Sequence, residues 1–317
     1  MEIIAFQPDA KCLRSDNPTD PDWQSAMADA VTDVRQLRRL LDLPEGIGAP
    51  PEDVSQDFPL LVPRPFLARI RPGDPRDPLL LQILPQSAEL AQQPGYCTDP
   101  VGEHEITRWA GVLWKYPGRL LIVTTRDCAV HCRFCFRRHF RPQQTPLVGR
   151  IWDSILAGIK AEPSVHEVIL SGGDPLALED VVLSRVVDQL AAISHVERVR
   201  IHTRFPMVLP QRVTEEMLAW VRHPRLTVVF VVHVNHPAEI DASVAAALAR
   251  LADAGVPLLS QSVLLRGVND DVEVLAGLCE RLANLRVMPY YLHQLDRVAG
   301  AAHFEVPEET GVERIRQ

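Results

Sequence analysis

Three cysteines, Cys128, Cys132 and Cys135, stand in a C-x3-C-x2-C run within residues 124–140, Thr-Thr-Arg-Asp-Cys-Ala-Val-His-Cys-Arg-Phe-Cys-Phe-Arg-Arg-His-Phe. Three thiols so close cannot all pair as disulfides, so one loop must gather them for another purpose. Thiolates ligate soft metals, and iron–sulfur clusters are held by cysteine sulfur. A structural zinc ion asks for a fourth protein ligand, for which His131 or His139 would have to serve. A cubane with three thiolates instead leaves one iron open to a small molecule. The remaining cysteines, Cys12, Cys97 and Cys279, stand alone in the sequence and read as buried, inert thiols.

The 317 residues suffice for one large α/β domain with an appendage, and 46% hydrophobic content supports a sizeable core. A net charge of −8 argues against broad binding to nucleic acid or membrane surfaces. Arg133, Arg137, Arg138 and Arg141 therefore read as local anion sites. Lysine is scarce: Lys11, Lys115 and Lys160 are the whole set. The N-terminus has no basic and apolar secretory pattern, and the apolar run 226–232 is too short to span a bilayer. Six cysteines without an export signal point to a reducing compartment, the cytoplasm.

Residues 1–110 are rich in proline and charge and read as an accessory region, with a helix over 26–43 and an irregular wrap over 50–85 that holds one short helix. Beyond residue 119, apolar runs over 120–125, 167–171, 198–203, 227–233, 257–263 and 286–291 predict strands. Helices are predicted over 149–161, 178–193, 214–222, 241–254 and 271–283. Strand–helix alternation implies parallel β/α units, and six strands fit a partial, open (βα)6 barrel over 111–306, followed by the start of a C-terminal helix at 307–317. Ligands of such folds sit beyond the carboxyl ends of the strands. The unusual residues of this chain follow those ends: the cysteine run, Ser171-Gly172-Gly173-Asp174-Pro175, His202-Thr203-Arg204, His233 to His236, Gln261-Ser262, and Tyr290 to Asp296.

Gly172 and Gly173 allow backbone to approach a ligand, and Asp174 could take an ammonium or hydroxyl. Arg137 suits a carboxylate clamp. Asp296 could bind a substrate cation, so clamp and carboxylate together suit an amino acid with a second positive charge. His233 and His236 lack a supporting metal pattern; Asn235 to Glu239 reads as a strand–helix turn.

The cysteine run after a strand, with the Gly-Gly-Asp-Pro segment, resembles radical S-adenosylmethionine (SAM) enzymes. The chain further resembles the lysine 2,3-aminomutase family. The resembling segments are Lys115-Tyr116-Pro117-Gly118-Arg119, residues 128–140, 171–175, 200–204, Val208-Leu209-Pro210, and residues 235–240, 261–270 and 288–304. Cys-Phe-Arg-Arg-His-Phe and the compact N-terminal region favour the branch that makes (R)-β-lysine for elongation factor P. The resemblance implies a [4Fe-4S] cluster on Cys128, Cys132 and Cys135, with SAM beside Ser171, Gly172, Gly173, Asp174, His233 and Gln261. It implies pyridoxal 5′-phosphate (PLP) near Tyr116 and Arg119. Arg137 would hold the substrate α-carboxylate and Asp296 the ε-ammonium of L-lysine. It also implies a flavodoxin- or ferredoxin-like reductant and a functional link to elongation factor P and its β-lysine ligase. In that family the PLP lysine lies beyond the final helix, and none of Lys11, Lys115 or Lys160 matches it; the expectation is therefore a chain cut short or one without covalent PLP attachment.

Overall fold

The computed structural model describes residues 22–48, 58–103, 105–109, 111–139 and 147–317. Its centre is one sheet of eight strands in sequential order. The strands are β1 (Thr107–Trp109), β2 (Val112–Tyr116), β3 (Arg119–Thr125), β4 (Glu167–Gly172), β5 (Arg198–Thr203), β6 (Thr227–His233), β7 (Leu258–Val263) and β8 (Met288–His293). From β3 to β8 every neighbouring pair is parallel. The six expected strands are β3 to β8, and two further strands, not expected, precede them. The extra pair is an antiparallel hairpin, β1 on β2 and β2 on β3, which extends the sheet along its first edge.

The parallel part follows from its residues. On β5, Val199, Ile201 and Thr203 are buried against helices, while Arg198, Arg200 and His202 alternate onto the other face. That face is the concave side of the partial barrel, and it is polar. Helices Gly149–Lys160, Asp180–Ala191, Glu215–Val221, Ala242–Asp253 and Val272–Asn284 follow β3 to β7 and cover the convex side. Ala242–Asp253 is capped by Asp241 and ended by Gly255 at φ +80°, where a side chain would be strained. No helix among the described residues is long and apolar enough to cross a membrane.

The N-terminal layer departs from the single helix expected over 26–43. Helices Trp23–Ala28 and Val34–Leu40 are separate, because Val31 between them pairs its backbone with Val62. Asp33 starts the second by accepting from the Arg35 N–H at 2.8 Å. This layer grips the cysteine loop: the His131 and Arg133 amides donate to the carbonyls of Leu61 and Gln82. Beneath them Glu89 takes both Arg133 (2.5 Å) and Arg138 (2.6 Å) in the interior. After β8 the chain returns beside Cys97, whose amide donates to the Arg297 carbonyl (3.0 Å) while its carbonyl accepts from Ala299 (2.9 Å). That bridge sets the segment carrying Glu103 beside the segment carrying Asp296. Cys97 and Cys279 are exposed, contrary to the expectation of burial, since one lies on this edge bridge and the other on the outward side of its helix. Cys12 and Arg141 lie outside the described residues.

Candidate active site

The three loop cysteines converge at the carboxyl end of β3. Burial is the largest influence on each thiol and pushes all three up, Cys135 to about 11. After burial, Cys128 feels the charges of Cys135 and Cys132, and Cys135 that of Cys132, so the three share one electrostatic site. Cys132 also receives an N–H from Arg204 Nη1 at 2.7 Å. Sulfurs that resist ionisation alone and together are matched to a cationic group that displaces their protons. Among the described residues no three His, Cys, Asp or Glu side chains gather tightly enough for a single metal ion. A cubane takes each thiolate on a different iron, so its ligands stand further apart, and the triad fits that group. The two histidines considered for zinc are committed to backbone: His131 Nδ1 to Pro59 O at 2.8 Å, His139 Nε2 to Ala299 O at 2.9 Å.

Ser171 to Asp174 sit directly beside this loop. The glycines answer a packing demand: a Cβ at Gly172 would lie 2.7 Å from the Thr125 carbonyl, and one at Gly173 would strike the Arg126–Asp127 backbone. Their closeness lets the Gly173 and Asp174 amides donate to Thr125 and Asp127, locking β4 to the cluster loop. Asp174 is buried, and its two oxygens accept from Leu176, Thr203 and Arg204. Burial pushes its carboxyl up to about 6, against the pull of those donors. Its carboxylate is thus absorbed by the scaffold rather than aimed into the barrel.

Arg137 is at the barrel mouth. Nη1 donates to Ser171 Oγ (3.0 Å) and Gly172 O (3.3 Å), while Nε and Nη2 form a fork on Glu103, the shortest contact being 2.5 Å. Asp296 shares this region: burial raises its carboxyl, while His293 and Arg137 favour its charge and Glu103 opposes it. Deeper in the concave face His202 and Gln261 come together, and burial presses the His202 imidazole down to about 3. Its Nε2 is enclosed and has no partner among the described residues. His233, also lowered to about 3 by burial, lies against Phe134 and meets Asn235 Oδ1 at 3.2 Å. His236 caps the following turn through its Nδ1 and Glu239, the role expected of that segment.

At the amino-terminal end of the strands, Arg119 lies over the Tyr116 ring at 4.9 Å and Lys115 over the same ring at 5.7 Å. Arg200 pairs with Glu167 at 2.7 Å and lies 5.8 Å from the Tyr290 ring. Arginines with aromatic neighbours on the concave face suit a phosphate and a planar ring, so this end fits PLP in charge and shape. Glu103, His202 and Arg200 were missed as site residues in the sequence. Glu103 was given no role there, Arg200 entered only within the resembling segment 200–204, and His202 stood out only in that segment and by its place at a strand's carboxyl end.

A model of the radical SAM superfamily matches residues 122–279. L-lysine 2,3-aminomutase of Haemophilus influenzae is 42% identical over 289 residues, 91% of this chain and 86% of the relative. The protein of the same name from Escherichia coli is 43% identical over 311 residues, covering 97% and 90%. Glutamate 2,3-aminomutase of Clostridioides difficile is 35% identical over 310 residues, covering 96% and 72%.

Proposed function

The chain belongs to the lysine 2,3-aminomutase family of radical SAM enzymes, and from that membership we propose that it converts L-lysine to (R)-β-lysine for the modification of elongation factor P. The family uses a [4Fe-4S] cluster, SAM and PLP. When bound, these groups supply a carbon-centred radical and a π-system across which an amino group can move.

Cys128, Cys132 and Cys135 hold the cluster. The backbone of Ser171 to Gly173, with His233 and Gln261, lies where SAM would meet it. Asp174 acts by fixing that backbone. Tyr116 and Arg119 hold the PLP end of the site, with Arg200 beside them. Arg137 takes the α-carboxylate as a bidentate fork, which also fixes the rotation of the Cα–carboxylate axis. Asp296 takes the ε-ammonium; its raised carboxyl is drawn back toward charge once a cation sits beside it. Held at both ends, the substrate carbon chain has its β-carbon set in one position, and the polar lumen is filled so that water is kept from a radical.

What supports this reading is that Arg137 donates to Ser171 Oγ and Gly172 O beside the cysteine loop, while Asp296, 159 positions away in the sequence, comes near enough to feel its charge. Work in the cytoplasm with a flavodoxin- or ferredoxin-type reductant, feeding a β-lysine ligase, belongs to the same proposal. Anaerobic incubation of the reconstituted protein with L-lysine, SAM, PLP and dithionite tests it. β-Lysine is the expected product; SAM cleavage with lysine left unaltered, or turnover of glutamate in preference, would overturn it.

A further inference from the structure

Arg137 does not wait with an empty fork. Nε lies 3.0 and 2.9 Å from the two Glu103 carboxylate oxygens, and Nη2 lies 2.5 Å from Oε1. Nη1 is spent on Ser171 Oγ and Gly172 O. A guanidinium has five N–H donors, and this count leaves one uncommitted, on Nη2. A second carboxylate needs two parallel donors. It can obtain the Nε–Nη2 edge only by taking the place of Glu103.

Glu103 is built to yield its side chain without moving its backbone. Its amide donates to Asp99 Oδ1 at 2.9 Å, and its carbonyl accepts from Thr107 Oγ1 at 2.8 Å. The residue is 4% exposed, so a carboxylate released from Arg137 turns within the protein rather than into water. Asp296, on the segment that the Cys97–Val298 bridge ties to the stretch leading to Glu103, already feels the Glu103 charge.

We propose that Glu103 is the resident counter-ion of the substrate clamp, exchanged for the substrate's α-carboxylate, and that it thereby selects for an amino acid with a second ammonium. This rests on the reading that Arg137 binds an amino-acid carboxylate. Before exchange the Arg137–Glu103 pair is neutral. Afterwards Arg137 is paired with substrate, and Glu103 is left without a cation while its charge still bears on the partly buried Asp296. With the α-nitrogen committed to PLP, the only cation a lysine brings them is its ε-ammonium. A substrate without one leaves the displaced Glu103 uncompensated, which is costly in a buried site. Selection therefore comes from the charge that must be displaced as well as from Asp296.

The test uses the cluster-reconstituted, PLP-loaded protein with SAM and no reductant, so that binding occurs without turnover. The PLP absorbance is titrated with L-lysine, L-norleucine (no ε-ammonium) and cadaverine (no carboxylate), in wild type and Glu103→Gln. In the variant the preference for lysine over norleucine should fall by about tenfold, because norleucine no longer breaks a buried charge-assisted pair. Cadaverine, which leaves the Arg137 pair intact, should gain nothing. If Glu103 only orients Arg137, both amino acids weaken together and their ratio is unchanged, which overturns the inference while lysine still titrates wild type. If lysine fails to perturb wild-type PLP at all, the lysine reading falls and this inference with it. Unaltered cluster absorbance per chain confirms that the near-isosteric variant is folded.

Discussion

Arg204 Nη1 lies 2.7 Å from Cys132 Sγ, placing a buried guanidinium on one of the three cysteines proposed to hold the cluster. The same guanidinium reaches Gln82 Oε1 at 2.5 Å and Glu239 Oε2 at 3.0 Å through Nη2. Glu239 in turn accepts from the Asn235 and His236 amides and from Gln82. One ionic network thus joins the N-terminal layer, the cluster loop, β5 and the turn after β6. The positive charge opposite Cys132 offsets the burial that pushes this thiol up.

Arg204 variants should separate stability from redox tuning. Arg204→Met leaves Glu239, which has no exposure, as a buried carboxylate without its cation. That should cost roughly 3–5 kcal/mol of stability, read as a lower denaturant midpoint. Arg204→Lys retains the charge but not the fork. Weaker donation to the sulfur should make the cluster's midpoint potential more negative. An unchanged potential by EPR-monitored titration would mean that the arginine is only a structural tie.

The cysteine triad makes a sharper expectation. Alanine at Cys128, Cys132 or Cys135 should abolish the cluster's absorbance and reductive cleavage of SAM. Alanine at the exposed Cys97 or Cys279 should change neither. Zinc at full occupancy after anaerobic reconstitution, without SAM cleavage, is the outcome that would remove the cluster assignment.

The proposed substrate binding rests on two opposite charges, Arg137 and Asp296. Asp296→Asn should weaken lysine binding by about 2–4 kcal/mol, the cost of losing one charged partner in a partly buried site, while SAM cleavage without rearrangement continues. Arg137→Lys should be nearly as damaging, because one ammonium cannot reproduce the fork. Equal lysine affinity in wild type and both variants, by titration of the bound PLP spectrum, would refute the assignment.

The parallel core was legible because its strands are apolar runs, as in β6, or strict apolar–polar alternations, as in β5, set between helices. The expected strands at 198–203 and 227–233 coincide with β5 and β6. The β1–β2 hairpin was not legible: Val112–Tyr116 mixes buried and exposed positions and carries a lysine beside two aromatics. The cysteine triad was readable because its ligands are local. Arg137 stood out in the sequence as a candidate clamp, but its pairing with Glu103 was not legible, since Glu103 lies 34 positions away and meets it only through the fold. Gly172 and Gly173 were read as room for a ligand. Their tightest constraint is the backbone of 125–127, a contact between two strands that no local pattern encodes.

His202 and His233 give the protein a defined acid sensitivity. Burial lowers both from 6.5 to about 3. The unfolded chain therefore binds their protons first as pH falls, and stability present above 6.5 is lost progressively down to about 3. Between neutrality and pH 5 each should cost about 2 kcal/mol. His202→Asn should lose less stability over that interval than wild type, by urea denaturation at both pH values. Parallel losses would show that His202 is protonated as readily folded as unfolded.

The lysines offer a chemical test of how PLP is held. An aldehyde captures an amine that is deprotonated and close to the ring, whereas an ammonium kept charged serves a phosphate. Lys115 is exposed, with its Nζ 5.7 Å from the Tyr116 ring centre, and Arg119 shares that ring at 4.9 Å. Two cationic side chains over one ring suit a phosphate better than an aldehyde carbon. Lys160 ends a helix on the convex side of the sheet and is also exposed. Borohydride reduction of the PLP-loaded protein should therefore leave Lys115 and Lys160 without a stoichiometric pyridoxyl label. Arg119→Gln should weaken PLP retention on gel filtration, whereas Lys160→Gln should not. A full label on Lys115, mapped by mass spectrometry in a protein active on lysine, would move the aldehyde to the β2–β3 hairpin and reverse the assignment of phosphate and aldehyde ends.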